Sequence, residues 1–298
     1  LNESTESRSA ARWRTADGDA RFALAAMRMT MSRLGEIPPA GLNSCSVELN
    51  GVRCEWVWAK ASADSAPVTL YLHGGGFVAG SPASHFDLAL RLSAASHSRV
   101  LLPAYRLAPD YVYPAQLDDA LAVYRALLDG GVAPRQLAVA GDSAGGNLAL
   151  ALLARARELG LPLPRAMVCY SPWTDLTLAG ESIRTNAAID QAIPVKMLQP
   201  LAAIYCDDRD ARDPLISPLL ADFAKFPPTQ LHVAAGEVLR DDTLRLAQQL
   251  KACGVEVEHR IWADVPHAFP VFAATLPQGR EAIRLSGEFL LRHFENAA

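Results

Sequence analysis

From about residue 67 onward, short apolar runs alternate with longer stretches whose apolar positions recur at helical spacing. Val68–Leu72, Val100–Leu102, Leu137–Ala140, Ala166–Tyr170, Gln230–Ala234 and Val255–Ile261 read as strands, several of them apolar throughout as strands buried on both faces are. Residues 82–96, 117–128, the run after Asn147, 241–252 and 280–294 read as helices. This alternation predicts a parallel sheet wound with helices. Upstream, Cys45–Leu49 and Val52–Ala59 alternate around Asn50-Gly51, a strong hairpin signal that brings the strand count to eight. Residues 21–34 carry an amphipathic helical pattern stopped by Gly35 and Pro38-Pro39. Lying before the sheet, that helix is expected as a lid or surface element. Residues 1–20 are polar and charged and are expected to be loose. Between Leu178 and Phe226 the alternation lapses into short helical pieces, four prolines and the acidic run 207–213. That stretch reads as an insertion over the top of the sheet.

Composition narrows the picture only at its edges. A chain of 298 residues, half hydrophobic and one fifth charged, suits one large α/β domain with its own core. The net charge of −4 points to neither a nucleic acid nor an anionic membrane surface as partner. No apolar stretch reaches the eighteen or more residues of a membrane span. The N-terminal residues lack the apolar core of a signal peptide. The five cysteines, Cys45, Cys54, Cys169, Cys206 and Cys253, are odd in number, scattered, and form no C-x-x-C pair. They read as free thiols in a reducing compartment, so the expected location is the cytoplasm.

The strand–helix junction at Gly141-Asp142-Ser143-Ala144-Gly145 matches the nucleophile elbow G-x-S-x-G. A strand that turns at once into a helix crowds the residues two before and two after the serine, so small residues are required there. The turn lifts the serine hydroxyl above the sheet, at the positive end of the next helix. A serine needs a base to take its proton. Of the seven histidines, His267 alone lies in a loop after the last strand, where a doubly wound sheet places its active site. His73 precedes a glycine run, His85 and His97 bracket a helix, His232 and His259 lie inside strands, and His293 is on the last helix. The carboxylate that would orient the base should follow Gln230–Ala234. Glu237, closest to the strand end, is favoured, with Asp241 and Asp242 as alternatives that also suit a helix start. Gly74-Gly75-Gly76, directly after Val68–Leu72, lets backbone N–H groups approach a developing negative charge. The run is not a P-loop, 207–213 is not a calcium loop, and no H-E-x-x-H is present.

With His73–Phe77 (HGGGF), Gly141–Gly146 (GDSAGG) and Pro266-His267 together, the chain resembles the hormone-sensitive-lipase-like branch (family IV) of the α/β-hydrolases. Tyr105–Pro109 (YRLAP), Ser171–Thr177 (SPWTDLT) and Asp213–Pro218 (DPLISP) extend the likeness over nearly everything after residue 45. The resemblance implies an α/β-hydrolase fold: a mostly parallel eight-stranded sheet flanked by helices, with a helical cap. It divides the chain into an N-terminal cap segment 1–45, a catalytic core 46–177 and 227–298, and a cap insertion 178–226. It implies a carboxylesterase with Ser143 as nucleophile, His267 as base, an acid, and an oxyanion hole from the N–H groups of Gly75, Gly76 and Ala144. Asp142 and the YRLAP loop would frame the site with hydrogen bonds. The family usually has Asp in the acid's place, where this chain has Glu237; one more methylene serves the same role. No cofactor and no metal are called for. The expected partner is a small ester carrying a short or medium acyl chain, with lactones and other acyl bonds as alternatives. A homodimer is possible, since relatives pair. A non-catalytic small-molecule receptor on the same fold is the remaining rival, disfavoured by the presence of His267.

Overall fold

The computed structural model describes residues 18–59 and 66–295; the expectation for the extreme N-terminus falls outside them. Helix α1 (Gly18–Leu34) precedes the hairpin β1 (Asn43–Leu49) and β2 (Val52–Trp58). There follow β3 (Val68–Leu72), α2 (Phe86–Ser96), β4 (Arg99–Pro103), α3 (Ala115–Asp129), β5 (Leu137–Asp142), α4 (Ala144–Glu158) and β6 (Ala166–Tyr170). The insertion carries α5 (Ser182–Thr185) and α6 (Val195–Cys206). The chain then closes with β7 (Thr229–Ala234), α7 (Arg240–Ala252), β8 (Val257–Trp262) and α8 (Pro277–Glu295).

The eight strands form one sheet in the order β1-β2-β4-β3-β5-β6-β7-β8. The pairs β1/β2 and β2/β4 are antiparallel and the remaining five are parallel. This is the mostly parallel sheet that the alternation predicts. The hairpin turns at Asn50 and Gly51, both with positive φ, so that Leu49 faces Val52, as a two-residue turn of the primed type requires. Side chains of β3 alternate between two layers. Leu70 and Leu72 join Val139, Leu148 and Leu152 under α3, α4 and α7. Tyr71 faces the other way, with Ala138, Leu88, Leu92, Phe289 and Leu290, against α2 and α8. Every residue of β3, β5, β6 and β7 is buried, which is why these strands read as mostly apolar runs rather than alternating ones.

The C-terminal ends of the parallel strands carry the loops of interest. Above them, α6 is packed through Leu198, Leu201, Ile204 and Tyr205, all buried. The Tyr205 ring stacks on Phe77 with centroids 3.7 Å apart. From the other side, α1 is tied down by Arg28, whose guanidinium donates to the carbonyls of Val78 at 2.8 Å and Ala108 at 3.0 Å. Two segments far apart in sequence thus cover the same glycine loop.

Candidate active site

Ser143 sits between β5 and α4 with φ 51° and ψ −123°, a strained conformation for a residue with a side chain. Its N–H donates to the Tyr170 carbonyl at 2.9 Å, and its carbonyl accepts the Trp173 N–H at 3.0 Å. Those bonds lock the elbow to the end of β6. A Cβ at position 145 would overlap the carbonyl oxygens of Leu72 and His73, so the turn closes this tightly only with glycine there. Asn147 adds a clamp, donating to the carbonyls of Trp173 at 2.8 Å and Ile216 at 2.9 Å. Ala144 opens α4, and its N–H therefore has no partner within the helix.

The glycine loop is held from below. Gly75 has φ 118°, with space for a Cβ blocked by the Ala79 carbonyl. The Gly75 carbonyl takes the N–H groups of Val78 and Ala79 at 3.1 and 2.9 Å. Asp142 Oδ1 accepts the Gly74 N–H and the Tyr71 hydroxyl, each at 2.9 Å. His85 Nε2 lies 3.0 Å from the same oxygen. Tyr105 of the YRLAP loop donates its hydroxyl to the His73 carbonyl at 2.5 Å and stacks on the His73 ring at 4.2 Å. Burial, helped by the neighbouring His85, pushes the His73 imidazole down to about 3, so it stays neutral under the loop. Burial raises the Asp142 carboxyl, but His85, then Tyr71 and His73, outweigh it and hold it below its ordinary value.

His267 and Glu237 meet across the ends of β7 and β8. Nδ1 of His267 lies 3.3 Å from Oε1 of Glu237. The other carboxylate oxygen accepts the Ser171 hydroxyl at 2.7 Å and the Ala234 N–H at 3.1 Å. Glu237 is almost wholly buried and the His267 side chain is 10% exposed. Burial alone would lower the imidazole. The Glu237 charge and hydrogen bond, with Asp190 and Asp142 farther off, outweigh it and raise the group above its ordinary value. His267 Nε2 is buried and has no hydrogen-bond partner among the described residues. The alternatives to Glu237 are engaged elsewhere. Asp241 accepts the Ser182 N–H at 2.8 Å, and Asp242 accepts those of Thr174 and Asp175 at 2.8 and 2.9 Å.

These three clusters follow the C-terminal ends of β3, β5, β7 and β8 of one sheet. A family model for the alpha/beta hydrolase fold matches residues 69–271. The acetyl-hydrolase of Streptomyces hygroscopicus is 36% identical over 281 residues, spanning 93% of this chain and 92% of its own. An esterase of Acinetobacter venetianus is 35% identical over 82% of this chain and 80% of its own. Among solved structures, an esterase from the bacterial hormone-sensitive lipase family superposes with a TM-score of 0.87 at 37% identity, covering 94% of this chain and 99% of that one. EstE5 soaked with p-nitrophenyl butyrate gives 0.88 at 39%, covering 91% and 92%. The chain belongs to the hormone-sensitive-lipase-like branch of the α/β-hydrolases. It is a carboxylic-ester hydrolase.

In this esterase, sequence reasoning passed over Ser171. It has φ 48°, donates to Glu237, and accepts the N–H of Ala268, next to His267, at 3.2 Å. It therefore ties the acid loop to the histidine loop. Its position at the C-terminal end of β6, opening SPWTDLT, was the available signal. A cavity of about 590 Å³ adjoins the Glu237–His267 pair, walled by Ile189, Asp190, Gly236 and Val265 among others. Ser143 is not part of its wall. Among the described residues no group of three or more metal-ligating side chains is arranged to hold an ion, and no helix is long and apolar enough to cross a membrane.

Proposed function

We propose that the esterase hydrolyses short- to medium-chain acyl esters through a Ser143–His267–Glu237 triad and an acyl-enzyme. The observation that carries the triad is the Glu237–His267 contact, with Nδ1 committed to the carboxylate and Nε2 left uncommitted. A carboxylate on Nδ1 holds the tautomer whose Nε2 lone pair can accept the Ser143 proton. Ser143 Oγ then adds to the ester carbonyl. The oxyanion is received by the N–H groups of Gly75, Gly76 and Ala144, donors worth roughly 2.7–4 kcal/mol each in a transition state. The imidazolium returns its proton to the departing alkoxide, which leaves as the alcohol. Water repeats the sequence, releasing the acid and restoring Ser143.

Support for a short acyl group comes from the cap. Leu201 Cδ1 of α6 and Met27 Cε of α1 reach within 3.3 and 3.4 Å of where a Cβ on Gly76 would stand. They crowd the space beside the glycine loop. Two relatives, an acetyl-hydrolase and EstE5 soaked with p-nitrophenyl butyrate, agree with that scale. The surface thiols Cys45 and Cys253 favour a reducing compartment, hence the cytoplasm. The test is a p-nitrophenyl ester series from acetate to palmitate, with lactones alongside. Acetate to hexanoate should turn over fastest, and Ser143→Ala should abolish turnover while circular dichroism stays unchanged. A Ser143→Ala protein that keeps full activity, or activity confined to long chains, refutes the reading.

A further inference from the structure

The insertion that interrupts the strand–helix alternation also grips the loop bearing Glu237. Asn186 is 5% exposed. Its Nδ2 donates to the Glu237 carbonyl at 2.8 Å and to the Ala235 carbonyl at 3.3 Å. Asp190 accepts the N–H of Val238, the residue after Glu237, at 2.8 Å. Its other oxygen accepts the N–H groups of Ala192 and Ile193 at 2.8 and 3.0 Å, which fixes the carboxylate in place. Backbone polar groups beyond the end of a strand need partners. Here, around Glu237, those partners come from the insertion.

We propose that Asn186 and Asp190 are positioning residues for the acid–base pair, fixing the Glu237 backbone so that its carboxylate meets His267, with Asp190 also adding a negative charge to the wall of the cavity that His267 shares. The proposal rests on the reading of Glu237 and His267 as the catalytic acid and base. Glu has one more rotatable bond than Asp, and that extra freedom must be removed for the same precision. Ser171 and the Ala234 N–H hold the carboxylate end; Asn186 and Asp190 hold the backbone end. The carboxylates acting on His267 come from three places, Glu237 after β7, Asp190 from the insertion and Asp142 from β5; Asp264, from its own loop, lines the same cavity. Asp190→Asn removes one of these charges and leaves a single acceptor oxygen, which can serve the Val238 N–H or the Ala192 and Ile193 N–H groups but not both.

The experiment uses the whole protein, p-nitrophenyl butyrate, and pH profiles of kcat and kcat/KM. Asn186→Ala should lower kcat by roughly 10- to 100-fold, since small misplacements of catalytic groups are that costly, with KM little changed. Asp190→Asn should shift the acid limb of kcat/KM to lower pH, because a base with less negative charge beside it loses its proton more readily. If Asn186→Ala does not fold, as judged by circular dichroism and urea midpoint, Asp190→Asn still decides. Wild-type kcat and pH profile in both variants overturns the clamp, and so does a loss confined to KM with an unmoved acid limb. Were Ser143→Ala to retain activity, the underlying reading would fall as well; if it is inactive while both clamp variants behave as wild type, the clamp alone falls.

Discussion

Glu237 stands where the family usually has Asp, and its reach is used in full. One oxygen meets His267 and the other is held by a hydroxyl and a backbone N–H. The charge on that carboxylate is the largest influence raising the His267 imidazole. Glu237→Gln removes the charge and lets the ring settle in the wrong tautomer, so kcat should fall by roughly 10²- to 10⁴-fold. The residual activity should persist to lower pH than in the wild type, because without the carboxylate burial lowers the imidazole. A pH–rate profile with an unmoved acid limb would remove Glu237 from the site. Ser143, His267 and the glycine loop were legible because each carries a local pattern: a crowded turn, a histidine after the last strand, glycines after a buried strand. Asn186, Asp190 and Ser171 were not. Their importance comes from carbonyls and N–H groups some 50 to 100 residues away in the chain, and no periodicity records such partners.

Among the elements, the strands of the central sheet were readable to within a residue or two, because burial on both faces leaves mostly apolar side chains, with a few buried polar ones such as Thr69 and His232. Edges were harder. The terminal strand runs Val257–Trp262 with mostly exposed side chains, so apolar pattern marks it weakly and its bounds shift from Val255–Ile261. The cap was hardest. Helix α6 continues through Pro200, although proline lacks an N–H and ordinarily breaks a helix interior. Packing of Leu198, Leu201 and Tyr205 on the core pattern favours the helix despite it. The same packing decides what fits below. Leu201→Ala would remove the side chain that crowds Gly76 and should shift the acyl-chain optimum toward longer esters. Truncation of a buried leucine also costs about 2–5 kcal/mol of stability, so the urea midpoint should fall as well. An unchanged chain-length profile would mean that Leu201 does not wall the acyl pocket.

At the scale of the whole molecule, buried titratable groups set opposing pH slopes on stability. Burial first, then the charge of His85 or Arg260, pushes His73 and His232 down to about 3. The unfolded chain takes up those protons near the ordinary histidine value of 6.5, whereas the native state refuses them. The stability tied to both groups is therefore complete above that pH and is lost as pH falls below it. Asp242 behaves oppositely. Burial lifts its carboxyl from 3.8 to about 7, against the backbone N–H groups of Asp175 and Thr174, which lower it. The native state holds the proton there more tightly than the unfolded chain, so stability is lost as pH rises from 3.8 toward 7. His267, raised above 6.5, adds a loss on the same alkaline side. Between 3.8 and 6.5 the two histidines oppose one carboxyl, and the net slope is upward. Above 6.5 both histidines are neutral in either state, and only the downward slopes remain. The urea midpoint should therefore peak near pH 6.5 in a series from about pH 4 to about pH 9. Asp242→Asn keeps an oxygen for the N–H groups of Thr174 and Asp175 but has no proton to lose. It should steepen the acid limb, where the two histidines then act unopposed, and leave on the alkaline side only the loss tied to His267. A wild-type midpoint still climbing at about pH 8, or an acid limb no steeper in Asp242→Asn, would show that the native state does not hold a proton on Asp242.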